Sequence, residues 1–337
     1  MKMWMRCLLA AGLCVAVAAQ AHAQQVAAPA APADAAPAAT QAPVPAAVPT
    51  LALDDLETLL SLRAAPEARA QMLAQVVALA GKGDGASAYV LGVLYRNGEA
   101  HPAHLVPRDL DTARYWLERC LGMPRCPLLA LASLAELELS AGNAKPALQW
   151  AQGWVALDRE FTTRAREIEG RRVRPSQRNR DTAYHAYLLE RCYAAMPSGD
   201  RDAIGLAWFN AFRVQWGRVL DRMLFAQLDA LQAQDGEEAG GLTARAENQR
   251  RKTVLDSPMD LPVTPALSLF LMRGDPQGGR PESALVLEAL PSPNAARGLE
   301  ALARDFKTAP YPAAAGQRRY DLIPMSFNRG PYALTGK

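Results

Sequence analysis

The sequence predicts a mainly α protein, an antiparallel helix-pair solenoid followed by a small C-terminal α+β domain. Three observations carry this. Apolar residues recur at three- and four-residue steps almost without a break from 51 to 234. Within that span a helix closed by glycine and followed by a helix carrying Ala-x-x-Trp occurs twice, as Ala113/Trp116 and Ala147/Trp150, with the two tryptophans 34 positions apart. After 262 the apolar period falls to two.

The first 23 residues read as an export signal. Lys2 and Arg6 precede an apolar run at 7–19, and Ala21-His22-Ala23 forms a small-x-small cleavage site before Gln24. The run is shorter than the ~20 residues a membrane span takes. The expectation is a cleaved, periplasmic protein with no membrane span left, with an uncleaved anchor as the competing reading. Residues 24–50 are almost wholly Ala and Pro, a composition that cannot bury enough apolar surface to offset its ordering entropy, and they read as a disordered linker.

The chain has 37 basic and 34 acidic residues; loss of Lys2 and Arg6 leaves 35 against 34, a net of +1, so global charge argues against nucleic acid. Cys120, Cys126 and Cys192 remain after cleavage. Cys120 and Cys126 flank a turn containing Gly122 and Pro124, and in an oxidising compartment they are expected to pair, leaving Cys192 over.

The helical repeat domain is expected at 51–234. Leu53, Leu56, Leu59 and Leu60 start a first helix, and Pro66 restarts the chain into a second that closes at Gly81. From 86 to 98, Ala88, Leu91 and Tyr95 share one face, Gly92 leaves room beside them, and Gly98 supplies the positive φ that ends the helix. Asp109 or Asp111 caps the next helix, on which Ala113, Trp116, Leu117 and Cys120 form a stripe. Leu131, Leu134, Ala135 and Leu137 mark a helix at 127–141, and Ala147, Trp150, Ala151 and Trp154 its partner at 144–157.

Leu91-Gly92-x-x-Tyr95-x-x-Gly98, followed by aspartates and Ala113-x-x-Trp116-Leu117, resembles the Sel-one-like repeat, a relative of the tetratricopeptide repeat. The likeness is good over 86–120 and degraded over 128–154, where Ala135 replaces the glycine and Leu137 or Glu138 the tyrosine. It implies a helical solenoid that binds other envelope proteins.

An arginine-rich stretch at 158–181 reads as a solvated helix end and loop, an acidic partner surface being the alternative. A helix follows at 182–195 and a long one at 200–234, with Ile204, Trp208, Phe212, Trp216, Leu220, Leu224 and Leu228 every four residues. Residues 235–262 read as a linker, and 263–330 as the α+β domain in the order strand, strand, helix, strand. Its last strand contains Pro324 and is therefore an edge or bulged strand; Tyr320, Leu322, Pro324 and Ser326 are the candidate row for a partner strand. The patterns Gly279-Arg280-x5-Val286-Leu287-x-x-Leu290-Pro291, Arg304-Asp305-Phe306-Lys307-x-x-Pro310 and Ile323-Pro324-Met325-Ser326-Phe327 resemble the C-terminal domain of TonB-type energy transducers. That resemblance implies a transport or energy-transduction partner.

No catalytic motif emerges. His101 and His104 flank Pro102-Ala103 at a spacing that suits zinc, but no third ligand is placed to join them, and they read as loop residues. His185 and Cys192 sit among apolar neighbours and read as packed. No catalytic, cofactor or metal residues are assigned. The expected function is a non-catalytic interaction scaffold of the envelope; the alternatives are a TonB-like transduction partner and an enzyme acting on envelope polymers.

Overall fold

The computed structural model describes residues 49–168, 175–236, 264–311 and 318–327, all within the compact unit Ala47–Lys337. The signal at 1–23, and the linkers at 24–50 and 235–262 apart from two residues of each, lie outside the described residues. Nine helices and three strands are described: α1 Leu53–Leu60, α2 Pro66–Gly81, α3 Gly85–Asn97, α4 Leu110–Leu121, α5 Leu129–Ser140, α6 Ala144–Ile168, α7 Pro175–Ala194, α8 Arg201–Gly236, β1 Ala266–Arg273, β2 Ser283–Leu290, α9 Pro293–Arg304 and β3 Tyr320–Phe327. No helix among the described residues is long and apolar enough to cross a membrane.

Local chemistry sets the helix ends. Asp84 accepts from the Ser87 N–H at 3.0 Å and starts α3; Asp109 accepts from the Asp111 and Thr112 N–H groups and starts α4. Gly98, at φ 55°, closes α3 with its N–H on Leu94 O. Gly92 is the point of closest approach between α3 and α4: a Cβ there would lie 2.5 Å from Leu117 Cγ. The small residue therefore faces Leu117; Trp116 packs partly buried against the core, edge-on to Tyr115 and beside Arg119. Cys120 and Cys126 stand at disulfide distance, their Cα atoms 5.4 Å apart across the α4–α5 turn.

Two helices are longer than their stripes predicted. α6 runs on to Ile168 where 157 was expected, because Leu157, Phe161 and Ala165 continue its apolar stripe, and Glu160 pairs with Arg164 one turn on. The arginine-rich stretch is thus partly helix; residues 169–174 lie outside the description. α7 begins at Pro175 instead of 182, with proline at the first helical position where its missing N–H costs nothing. α8 packs on α6 through Trp150, whose ring centroid lies 5.0 Å from those of Phe212 and Trp216.

The strands form one antiparallel sheet in the order β2-β1-β3. Both faces are covered. Ala266, Phe270 and Met272 of β1 pack with Leu299 and Ala303 of α9, while Leu267, Leu269 and Leu271 belong to the same apolar core as α1–α8. A register shift between Leu269 and Phe270 leaves Leu287 without a partner, so Leu287 and Glu288 both turn toward the helices. The C-terminal domain is separate along the chain but not in the core.

Replacing Gly92 by Ala should destabilise the protein by about 1–3 kcal/mol through the clash with Leu117, read by urea unfolding. Combined with Leu117→Ala, which relieves the clash, the loss should be smaller than the sum of the two single losses. Strictly additive losses would show that the two residues do not meet.

Candidate functional site

α5 is buried on every side from Ala130 to Glu138, so its polar side chains, Ser133, Glu136 and Glu138, must be satisfied by protein groups. Each reaches a different element. Ser133 Oγ donates to Glu288 Oε2 of β2 at 2.6 Å. Glu136 Oε1 accepts from the Tyr184 hydroxyl and from Arg191 Nη1 of α7, both at 2.5 Å. Glu138 holds Arg114 of α4 through Nε at 2.5 Å and Asn143 Nδ2 at 2.7 Å.

Glu288 is the centre of the seam between helices and sheet. Its other oxygen accepts from Arg96 Nη2 at 2.6 Å and from the Ala289 N–H at 2.8 Å. The pair is sealed: the Arg96 and Glu288 side chains are 4% and 0% exposed. Burial works to lower the Arg96 pKa, and the Glu288 and Glu136 charges more than compensate, so it is raised. Tyr89 lies in the same field; burial first, then the negative charge of Glu288, push its hydroxyl well above the usual 10.

The same helical residues close the outer edge of β2. Arg96 also donates to Ala289 O at 3.0 Å and to Pro291 O at 3.4 Å. His101 Nδ1 accepts the Ala103 N–H at 3.1 Å, which fixes the proton on Nε2, and Nε2–H donates to Leu287 O at 3.1 Å. The carbonyls of Leu287 and Ala289 in β2, and of Pro291 just past its end, are therefore bound by side chains from α3 and from the loop that follows it. His101 is not an incidental loop residue; it is a bridge to the sheet. Burial lowers its pKa below 6.5, ahead of the opposing pull of Leu287 O and Glu288.

Glu57 of α1 binds one residue from each strand. Arg273 Nη1 of β1 lies 2.8 and 2.7 Å from its two oxygens, Ser283 Oγ of β2 donates at 2.8 Å, and the Tyr320 hydroxyl of β3 donates at 2.7 Å. Burial tends to raise the Glu57 pKa, but these three partners outweigh it and hold the pKa below 4.5.

The remaining predicted site residues do not converge on this seam as a set. Ala88, Ala113 and Ala147 are fully buried packing residues, Trp150 packs on α8, and His104 Nδ1 lies 2.5 Å from Glu99 O. His185 sits 3.2 Å from Asp158 and edge-on to Trp154. Burial, and then Glu136, push the Cys192 thiol to about 12, so it is inert at neutral pH. On β3, the Gly274 N–H donates to Arg319 O at 3.0 Å, which makes Arg273 and Tyr320 a non-hydrogen-bonded pair. The main-chain groups of Tyr320, Leu322, Pro324 and Ser326 accordingly point away from β1. Pro324 has no N–H and the Leu322 N–H is taken by Asp321 Oδ1 at 2.8 Å, so half of that donor row is blunted.

The residues that build the seam, Arg96, Ser133, Glu136, Glu138, Glu288 and Glu57, escaped the sequence reading. One signal was available for α5: its sequence is apolar all round, so the carboxylates within it had no polar face to occupy.

Replacing Glu288 by Ala strands the Arg96 guanidinium in the interior and should cost about 3–5 kcal/mol in urea unfolding. The double variant Arg96→Met/Glu288→Met should recover most of that loss; a double variant as unstable as the single one contradicts the assignment. A second prediction concerns pH. His101 binds a proton more weakly folded than unfolded, so its contribution is fully present above 6.5 and is lost as pH falls from 6.5 through its lower folded value. Unfolding midpoints measured across that range should drop more for the native protein than for His101→Gln, and parallel curves would remove His101 from the account.

No known protein family, no curated protein and no solved structure matches the chain.

Proposed function

We propose that this protein is an exported protein–protein interaction scaffold of the bacterial cell envelope that performs no catalysis. One observation carries the reading. The acidic, basic and hydroxyl groups that do converge are sealed inside the seam and bound to one another, where they join helices to sheet. Large apolar side chains meanwhile stay exposed on helix surfaces, among them Tyr115 and Val214. The helix pairs then form a solenoid resembling Sel-one-like repeats, with other envelope proteins as partners. The short apolar run at the N-terminus and the Cys120–Cys126 pair support export to the periplasm.

A second reading, a TonB-like transduction partner, draws on the strand-strand-helix-strand order and on β3 lying at a sheet edge. The blunted donor row of β3 weighs against it.

Two measurements test the proposal. N-terminal sequencing of the exported protein should begin at Gln24, and after unfolding without reductant only Cys192 should react with a thiol reagent. A chain still beginning at Met1 in the membrane fraction favours the anchored, transducer-like reading. Incubation with purified cell-wall polymer should release no soluble fragments; release abolished by Glu136→Gln would replace the scaffold with an enzyme.

A further inference from the structure

The loop joining α3 to α4 is pinned at its base. The Asp109 N–H donates to Tyr95 O at 2.9 Å, Arg108 Nε donates to Arg96 O at 3.3 Å, and a Cβ on Gly98 would lie 2.4 Å from Arg108 N. Val106 is buried in the core on the return side. The tip between these points is held by two side-chain bonds. Arg69 of α2 donates through Nη2 to Ala103 O, and His101 of the loop donates through Nε2 to Leu287 O of β2. The first is made by a guanidinium, a group that stays charged wherever histidine titrates. The second is made by a neutral imidazole, and it can be switched.

His101 is 1% exposed and both of its ring nitrogens are committed, Nδ1 to the Ala103 N–H and Nε2 to Leu287 O. A second proton has to go on Nδ1, where it would face the Ala103 N–H at 3.1 Å, donor against donor. The charges around the ring offer no remedy. The Glu288 carboxylate of β2 attracts a cation, but its oxygens are already bound to Arg96 and Ser133. Arg96 of α3 and His104 of the loop itself oppose another positive charge. The imidazolium therefore has no place in the closed loop, and the lowered pKa that burial gives His101 agrees. His104 is no such switch: its Nδ1 lies against Glu99 O, a carbonyl that accepts from the charged ring as well as from the neutral one.

We infer that the α3–α4 loop is an acid-released latch, in which protonation of His101 at Nδ1 frees the tip, residues 99–105, from β2 while the helices and the sheet stay in place. Gly98 and Val106 are its hinges. Release takes the donor from Leu287 O and opens that point of the β2 edge, whereas Arg96 keeps its bonds to Ala289 O and Pro291 O. His101 binds a proton more weakly in the closed loop than in the open one, where its pKa returns to about 6.5. The open fraction consequently grows as pH falls from there to the closed value, and then levels off. The latch does not depend on export or on the scaffold reading.

Amide hydrogen exchange of the full chain between about pH 8 and about pH 5, corrected for the intrinsic rate at each pH, tests it. Protection of the Ala103 and His104 N–H groups, which bond to Nδ1 and O of His101, should fall by about tenfold per pH unit below the open-loop pKa. The α5 amides should keep theirs. In His101→Gln the same loop amides should show no pH dependence. Arg69→Ala should lower their protection by one factor at every pH and leave the slope intact, because that bond carries no titrating proton. Loop protection that stays flat over the whole range, or that falls equally in His101→Gln, overturns the inference. So does a fall shared by α5, which assigns the proton to global unfolding instead of to the loop.

Discussion

A helix with no solvent-facing side has to settle every polar atom it carries inside the protein, because a buried group without a partner costs roughly 1–3 kcal/mol and a charged one more. α5 is such a helix, and three of its nine fully buried residues in a row are polar. The elements around it are placed by that constraint. Glu138 draws in Arg114 from α4, Glu136 draws in Tyr184 and Arg191 from α7, and Ser133 draws in Glu288 from β2. Glu288 in turn fixes Arg96 of α3. Four elements are thus oriented about one helix by directional bonds, and the apolar side chains between them fill the space so defined.

The sheet inherits its position from this arrangement. An isolated three-stranded sheet has two open faces and two open edges. Here one face takes α9 and the other takes the helical core. The edges are closed by different means: Arg96 and His101 bind the carbonyl row of β2, while Pro324 and the Asp321 side chain reduce the donor row of β3. Glu57 then ties all three strands to the first helix. N-terminal and C-terminal elements are neighbours, and the sheet is part of the body of the protein.

Helix and strand positions were legible in the sequence because periodicity reports which side of an element is dry, and that is a local property. The strand-strand-helix-strand order came from it, while the Gly98 terminus, the cap at Asp109 or Asp111 and the edge position of β3 came from residue type: a glycine, an aspartate and Pro324. Periodicity could not say what covers a dry face. The two-residue period after 262 announced dry faces, but the helical core against Leu267, Leu269 and Leu271 is built from residues far away in the chain. The seam was invisible for the same reason. Arg96 and Glu288 are 192 residues apart, and Ser133 and Glu288 155; each looks like an ordinary charged or polar residue in its own neighbourhood. The α6 boundary failed on a smaller scale, where arginines outweighed the continuing stripe of Phe161 and Ala165.

The polar character of the seam sets specificity more than stability. An ion pair removed from water contributes little net free energy beside a well-packed apolar substitute. An all-leucine seam between β2 and the helices would, however, accept a strand moved along by two residues, since such a shift returns the same residues to the same face. Glu288 forbids that slip. Moving it by two positions would leave its carboxylate among apolar side chains and take from Arg96 the carboxylate it binds. The carbonyls at 287, 289 and 291 repeat every two residues and cannot distinguish the registers on their own, so the side chain of Glu288 supplies the choice and the main-chain bonds of Arg96 and His101 follow from it.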